Sequence, residues 1–384
     1  MTTASRTVPF LALGGLFEQD DVEAAQHVIA AAAEEGGNFF PLPEENDFQN
    51  RLAAHEGAQK AVGVNACGTA LDLCMMALEV GPGDEVITTP LTFVCTATCA
   101  SARGAKVVFA DVDDQTLCLD PRKVRDKITP RTKAIIPVHF AGLAADIDAF
   151  GQITKETGVP VIYDAAHAVG TKFKGKPIGG AGKASCYSFQ SNKNMTTLGE
   201  GGAVTSDDEA FAELVRQKKT FGYVYGAGGT RVVTQGFNYR LTKPQLAVGL
   251  TQLAKIDRVN QLKREKARRL HKQLEGVGGL TLPTAVDDDG HAMHLYIVRT
   301  TGVDRDTFRT QLKEQHGVAT ALHYPVVWNW DAFANDKIDY DDSDCDLAVR
   351  ACEQVVSLPV FATSTDADLD YTAQAIRQTL KELS

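Results

Sequence analysis

The chain has 384 residues, of which 44% are hydrophobic and 23% are charged, as in an ordinary soluble globular enzyme. Its net charge of -10 and the lack of a long basic run exclude DNA or RNA as an expected partner. The N-terminus has no secretory pattern and no later segment reaches membrane-spanning length, so we expect a cytoplasmic protein.

The first half of the chain alternates between strand and helix patterns. Two helices are predicted first, at 20–35 and 45–56. Strands follow at 61–64, 85–89, 106–112, 133–140, 160–164, 184–189 and 203–206, and helices at 70–80, 92–103, 121–128, 146–157 and 208–220. Strands joined by helices of this length predict a mainly parallel sheet covered on both faces. Such a sheet binds ligands beyond the carboxyl ends of its strands.

The second half predicts a smaller lobe. A glycine-rich loop at 222–229 precedes a long helix that begins near Thr242 and Pro244. Beyond it the pattern predicts strands at 294–300 and 356–361, with helices at 305–316, 343–354 and 366–383. We expect a large domain over residues 1–255 and a small α+β domain over 256–384.

Lys193 lies on the loop between the strand predicted at 184–189 and a glycine cluster at 199–202. A lysine becomes a nucleophile when partial dehydration lowers the pKa of its ammonium group, because the free amine can then attack a carbonyl. The alternative is a solvated surface lysine beside a glycine turn, which is where most lysines are found.

Asp164 closes a strongly apolar strand and is followed by His167. A buried carboxylate is costly unless it meets a cation, and a protonated pyridine nitrogen would serve. Asp164 could instead cap a helix, and His167 could be a core histidine or a donor to a phenolic oxygen. Phe93 follows another strand and could stack on a planar ring or belong to the core.

Gly68 and Thr69 open a helix directly after a strand. The backbone N–H groups there could hold a phosphate, although such turns also occur merely to start helices. Ser188 could add a hydroxyl. One ligand would use all of these groups, since pyridoxal phosphate has an aldehyde for Lys193, a ring nitrogen for Asp164, an aromatic face and a phosphate.

Other ligand motifs are missing from the sequence. Residues 179–184 lack the glycine and the Ser/Thr of a phosphate-binding loop, and no Gly-x-Gly-x-x-Gly opens the first strand–helix turn. The eight cysteines form no Cys-x-x-Cys pair and no zinc-type spacing, so we expect buried thiols and no metal site.

A series of motifs resembles the DegT/DnrJ/EryC1/StrS sugar aminotransferase family over nearly the whole chain. The motifs, in order, are Asn65-Ala-Cys-Gly-Thr-Ala70, Gly81-Pro-Gly-Asp-Glu-Val86, Thr92-Phe-Val94, Asp164-Ala-Ala-His167, Ser188-Phe-x-x-x-Lys-Asn194, Gly199-Glu-Gly-Gly202, Asn238-Tyr-Arg240, His323-Tyr-Pro325 and Ser357-Leu-Pro359. The resemblance implies the type I pyridoxal-phosphate transferase fold, with a mainly parallel seven-stranded sheet, and a homodimer that shares its active sites.

The resemblance also implies a role for each matching residue. Lys193 would form the Schiff base with pyridoxal 5'-phosphate, and Asp164 would pair with the ring nitrogen. The other implied roles are His167 near the phenolic oxygen, Phe93 on the ring, Gly68, Thr69 and Ser188 on the phosphate, Asn238 from the partner subunit, and His323 and Tyr324 near the substrate. Three features depart from the family pattern: Cys67 replaces a serine, Lys243 replaces a frequent glutamate, and residues 190–192 are unusual.

The expected reaction is transfer of an amino group from glutamate or glutamine to a nucleotide-linked keto-deoxysugar by ping-pong chemistry. A free keto-sugar or keto-cyclitol is the alternative acceptor. A non-catalytic sensor of the cofactor or of a sugar nucleotide is an alternative from a different class. Related dehydratases carry a histidine in place of the Schiff-base lysine, and Lys193 argues against that branch.

Overall fold

The structure is a computed structural model that describes residues 6–40, 44–226 and 229–383. Its first nine strands are β1 Lys60–Val64, β2 Glu85–Thr88, β3 Lys106–Phe109, β4 Thr132–Ile136, β5 Ile162–Asp164, β6 Lys172–Phe173, β7 Lys176–Pro177, β8 Ala184–Ser188 and β9 Gly202–Ser206. β6 and β7 form a small separate hairpin. The other seven strands build the central sheet.

These seven strands have the order β1-β9-β8-β5-β4-β2-β3, and a two-residue strand at 340–341 pairs with the outer edge of β3. Two parallel bridges, Ile135–Val161 and Val138–Asp164, join the β4 and β5 edges. Only β9 runs against its neighbours, because β1 and β8 both pair with it in antiparallel register. The predicted fold class, a mainly parallel seven-stranded sheet, is confirmed.

Helices cover both faces of this sheet. They are α1 Gln19–Glu34, α2 Glu44–Glu56, α3 Cys67–Ala77, α4 Cys95–Ser101, α5 Pro121–Lys127, α6 Ile147–Thr157 and α7 Glu209–Lys219. Strand β8 shows how the sides alternate: Cys186 packs into the core under α3 and α7, while Tyr187 packs into the core formed with α2. The strands are therefore buried on both faces, as in other covered parallel sheets.

A hairpin replaces part of the loop that the glycine-rich stretch predicted. Strands β10 Tyr223–Gly226 and β11 Gly229–Val232 pair in antiparallel register. Glycines occur in tight turns as well as in loops, and the aromatic and β-branched run Tyr223-Val224-Tyr225 is the sequence signal for a strand. The side chains of Tyr225 and Val232 are exposed.

Helix α8 Lys243–Leu274 runs for 32 residues from the central sheet into the C-terminal part. Thr242 and Gln245 form a capping box, and Pro244 occupies the first turn, where its missing N–H has no cost. The expected domain boundary after residue 255 falls inside this helix, so the division into two domains stays a prediction.

The C-terminal part is a small α+β unit. An antiparallel sheet of β12 Leu280–Thr281, β13 Tyr296–Thr300 and β15 Val355–Leu358 packs against helices α9 Arg305–His316 and α12 Asp366–Leu383 and against the second half of α8. The short helices α10 Asp331–Asn335 and α11 Asp346–Gln354 and the two-residue β14 Tyr340–Asp341, which pairs with β3, connect this unit to the central sheet. In the described ranges, no helix is long and apolar enough to span a membrane.

The fold brings four sequence motifs to one edge of the sheet. Asp164 closes β5 and Ser188 closes β8, while β1 and β2 lead directly to Gly68 and Phe93. The carboxyl ends of parallel strands share one edge, so these residues surround the place where ligands bind in such sheets.

Candidate active site

Lys193 is a buried residue, with only 9% of its surface exposed. The alternative of a solvated surface lysine is therefore wrong. The N-terminal segment packs closely against the loop that carries Lys193. Gly14 N donates to Ser191 O at 3.0 Å, and a Cβ on Gly14 would lie 1.9 Å from Asn192 O. Only glycine permits this approach, so the Gly14-Gly15 pair holds the backbone that carries the lysine.

Burial lowers the pKa of the Lys193 ammonium below its ordinary value, because the charged form loses hydration. The negative charge of Asp164 opposes this shift without cancelling it. The free amine is thus more accessible at neutral pH than it is for a solvated lysine. This is the condition that a nucleophilic lysine requires.

Asp164 is 3% exposed and is bonded only to neutral donors. The Thr96 hydroxyl donates to Oδ2 at 2.7 Å, and the Ala166 N–H donates to Oδ1 at 3.0 Å. Burial raises the pKa of the Asp164 carboxyl despite these bonds. Turns rather than a helix follow the residue, so the helix-cap alternative is wrong. Within the described ranges, no basic side chain pairs with this carboxylate, which leaves it suited to a cationic ligand.

His167 lies between two rings from the C-terminal part of the chain. Its Nε2 is 3.0 Å from the Tyr324 hydroxyl, and its ring centroid is 4.5 Å from that of His294. Burial holds the pKa of His167 well below its usual range, so the ring is neutral. Its Nδ1 is buried and has no hydrogen-bond partner among the described residues. One polar atom of the histidine is therefore left to meet a ligand.

Phe93 is 52% exposed, and its ring centroid lies 6.0 Å from that of Tyr324. The alternative of a core phenylalanine is therefore wrong. An exposed aromatic ring at the ligand-binding edge of the sheet offers a face on which a planar ring can stack.

The start of helix α3 is an uncapped helix N-terminus. Ala66 is the N-cap and has no side-chain acceptor, so the first N–H groups have no capping partner. Gly202 allows β9 to pass close by, since a Cβ there would lie 2.7 Å from Cys67 N. Thr69 Oγ1 donates to Asn65 Oδ1 at 2.7 Å within the same turn. The helix begins three residues earlier than predicted, so Gly68 and Thr69 occupy its first turn.

The remaining predicted residues lie around this centre. Ser188 is buried at the end of β8, and its hydroxyl faces Gln190 N at 3.4 Å. His323 Nδ1 is 2.8 Å from Ser357 Oγ, and burial lowers the pKa of His323 to about 4. Asn238 is exposed, and its Oδ1 accepts a hydrogen bond from Arg240.

Two of the three departures from the family pattern, Cys67 and Lys243, have clear structural partners. The Cys67 thiol points inward, 3.4 Å from the carbonyl oxygen of Cys186 and 3.9 Å from Asp164 Oδ1. Lys243 is buried and lies 3.3 Å from Glu44 Oε1, which makes it part of an ion pair between α8 and α2. The Cys67 side chain therefore packs beneath the first turn of α3, and Lys243 has a structural role.

Four groups here fit pyridoxal phosphate. The buried Asp164 carboxylate needs a cation, the Nδ1 of His167 needs a partner, the start of α3 offers unpaired N–H groups, and Lys193 offers an amine. Together with the seven-stranded sheet, these groups define the class of type I pyridoxal-phosphate transferases.

The chain matches the model of the DegT/DnrJ/EryC1/StrS aminotransferase family over residues 19–377. It belongs to this family and is a pyridoxal-phosphate-dependent sugar aminotransferase. A curated relative is the spore coat polysaccharide biosynthesis protein SpsC of Bacillus subtilis. It is 37% identical over 360 residues, which cover 90% of this chain and 92% of SpsC.

Two solved structures show the same fold over nearly the whole chain. DesV of S. venezuelae is 33% identical, with a TM-score of 0.85 and coverage of 97% of this chain and 98% of DesV. The 3-amino-5-hydroxybenzoic acid synthase is 30% identical, with a TM-score of 0.89 and coverage of 98% and 100%.

Proposed function

We propose that this enzyme transfers an amino group from glutamate or glutamine to the keto group of a nucleotide-linked keto-deoxysugar, with pyridoxal phosphate bound at Lys193. The observation that carries the proposal is that Lys193 and Asp164 are both buried in one site, while no basic side chain in the described part of the chain forms an ion pair with the Asp164 carboxylate. Burying either charged group without a partner costs free energy. A single ligand with an aldehyde for the lysine and a ring nitrogen for the carboxylate would give both groups a partner.

Residues from several separate parts of the chain would hold the cofactor. Asp164 would bind the ring nitrogen, His167 the phenolic oxygen and Phe93 one face of the ring. The phosphate would lie on the first turn of α3 at Gly68 and Thr69, with Ser188 beside it. When it is bound, pyridoxal phosphate supplies the carbonyl that carries the amino group and the ring that takes up electrons from the donor carbon.

The catalytic work of the chain falls to Lys193 and Asp164. The lowered pKa of Lys193 allows its Nζ to take a proton from the α-carbon of the donor and to deliver it to the carbon that belonged to the cofactor's aldehyde. Asp164 keeps a negative charge opposite the ring nitrogen, and the buried setting strengthens that interaction. The neutral His167 can donate or accept a hydrogen bond without adding charge to the site.

His323 and Tyr324 would contact the acceptor. Tyr324 bonds to His167 and lies beside Phe93, so it borders the place proposed for the ring. The resemblance to a polysaccharide biosynthesis protein supports a sugar acceptor. The similarity to 3-amino-5-hydroxybenzoic acid synthase, whose named product is not a nucleotide sugar, keeps a free keto-sugar or keto-cyclitol as the second candidate.

We also infer a homodimer in the cytoplasm, with Asn238 reaching the partner's site. The segment around Asn238 is unusually apolar on its surface, because Phe221, Tyr225, Val232 and Phe237 are all exposed. Clustered exposed apolar side chains of this kind are typical of a protein interface. None of the hydrogen bonds of Asn238 among the described residues reaches Lys193 or Asp164, which favours a role in another subunit.

The acceptor is tested with enzyme that an amino donor has first converted to its amino-loaded form. We expect nucleotide-linked keto-deoxysugars to restore the original spectrum and to yield the amino sugar, identified by mass. Conversion of free keto-sugars or keto-cyclitols alone would favour the second candidate. If no amino donor converts the cofactor, a non-catalytic sensor becomes the better account.

The shared site is tested by mixing two inactive variants, Asn238→Ala and Lys193→Ala. A mixed dimer contains one site with both native residues, so part of the activity should return. A mixed dimer, proven by tagged purification, that stays inactive would contradict the contribution of Asn238 across the interface.

A further inference from the structure

Lys263 of helix α8 is a buried cation to which the proposed reaction gives no role. Its side chain is 1% exposed, and Nζ donates to His294 O at 2.8 Å, Asn194 Oδ1 at 2.9 Å and Gly14 O at 3.3 Å. All three acceptors are neutral, and no described carboxylate forms an ion pair with it. An ammonium group has three N–H donors, so three acceptors match its charged form.

The side chain of Asn194 is the centre of this network. Its Nδ2 donates to Asn260 Oδ1 at 2.7 Å and to Ala292 O at 2.8 Å, which uses both of its hydrogens. Its Oδ1 accepts from Lys263 and lies 3.1 Å from His294 Nδ1. An oxygen at that place requires a hydrogen on His294 Nδ1, so the network fixes the tautomer of that ring.

Each contact of Lys263 leads to a group of the proposed active site. Asn194 directly follows Lys193 in the chain. Gly14 packs on the backbone of the same loop, where its Cβ would lie 2.6 Å from Lys193 O. The His294 ring packs against that of His167. Lys263 is therefore bonded both to Asn194, the neighbour of Lys193 in the chain, and to His294, whose ring packs on His167.

We propose that Lys263 is a positioning residue of the Lys193 site: it fixes Asn194 and His294, and its positive charge disfavours a second positive charge on the Lys193 nitrogen. The inference rests on the proposed function, because it concerns the same lysine. The reverse effect supports it, since burial and then the charge of Lys193 lower the pKa of Lys263 to about 7.

Other ionisable groups face this pair, and their influence must be kept constant. The groups that act on Lys193 or Lys263, or respond to their charges, are Asp164, Cys67, Cys95, His167, His294 and His323. A change at position 263 removes none of these ionisable groups. A shift in the titration can then be assigned to the lost charge and to the network that it anchors.

The test is a pH titration of the visible absorption of protein loaded with pyridoxal phosphate, in the wild type, Lys263→Met and Lys263→Gln. Removing the charge should raise the midpoint by about one pH unit. The rate of the amino-donor half-reaction should fall by about 10²-fold, because the lysine loses its support. Lys263→Arg keeps the charge and should return the midpoint towards that of the wild type.

Lys266→Met is the matched control, since Lys266 lies one turn further along α8 and pairs with Asp366 at 2.9 Å. It should keep the wild-type midpoint. A wild-type midpoint in both neutral variants would overturn the inference. Failure of both to fold would make Lys263 a structural residue and would also overturn it. Absence of any visible band in the wild type would instead contradict the proposed function.

Discussion

The hydroxyl of Thr96 donates a 2.7 Å hydrogen bond to Oδ2 of Asp164, across the gap between helix α4 and the end of strand β5. Thr92, one turn earlier, lies 2.7 Å from the same hydroxyl. Because Thr96 uses its hydrogen on the carboxylate, Thr92 must donate to Thr96. The carboxylate thus stands at the end of a short chain of hydroxyl groups that fixes its direction.

Thr96→Val should destabilise the protein, because a buried carboxylate loses a donor. The expected loss is about 1–3 kcal/mol in the free energy of unfolding of the cofactor-free protein, measured in urea. Thr98→Val is the control, since that hydroxyl bonds to Val94 O on the same helix. Its effect should stay within about 0.5 kcal/mol. Equal losses in the two variants would contradict the special role of Thr96.

Asp164→Asn should separate stability from cofactor binding. Burial raises the pKa of Asp164, so the folded protein holds its proton more tightly than the unfolded chain does. The ionised carboxylate therefore costs stability as pH rises above its ordinary value of about 3.9. The cofactor-free variant should be at least as stable as the wild type at pH 7, while its donor half-reaction slows by about 10²-fold or more. A variant that reacts at the wild-type rate would contradict the pairing with the ring nitrogen.

Gly14→Ala should weaken the hold on the cofactor. The added Cβ cannot stay 1.9 Å from Asn192 O, so the loop that carries Lys193 must move. A displacement of about 1 Å can cost about 10²-fold in rate. The measurements are the dissociation constant for pyridoxal phosphate and the rate of the donor half-reaction. Gly278→Ala, where a Cβ would meet nothing within 4 Å, is the control and should change neither.

His323→Asn should reduce the loss of stability in acid. Burial lowers the pKa of His323 to about 4, whereas an unfolded histidine titrates near 6.5. The unfolded chain binds the extra proton between these values, so this contribution is complete above pH 6.5 and is lost as pH falls towards 4. The difference amounts to about 3 kcal/mol at most. Unfolding curves at pH 7 and pH 4.5 should show a smaller difference in the variant than in the wild type, and an equal difference would contradict this role of His323.

The sequence predicts the parts of the site that lie at ends of regular elements. Asp164, Ser188 and the start of α3 each follow an apolar strand, and a parallel sheet brings such positions together. The apolar runs also predict that the strands are buried, and the helical spacing of apolar residues predicts the long helix α8. These residues could be predicted because their neighbours in the chain determine their places.

The supports of the site could not be predicted in this way. Lys263 bonds to Gly14, 249 positions away, and to Asn194, 69 positions away. Its place in a helix rich in charged residues gives no sign of burial, because burial depends on how α8 packs. For the contact between Lys263 and Gly14, the sequence offers the Gly14-Gly15 pair, which indicates a close approach of two backbones. For Thr96 the sequence offers only its spacing of four residues from Thr92, which places both hydroxyl groups on one side of a helix.

The visible absorption of the purified protein, loaded with pyridoxal phosphate, tests the central claim most directly. The wild type and the control Lys176→Ala, which changes an exposed lysine, should show a band that glutamate or glutamine bleaches. Lys193→Ala should lack it, because the variant has no amine for the aldehyde. A colourless wild type after loading, or an unchanged band in Lys193→Ala, would contradict the assignment of Lys193 as the residue that holds the cofactor.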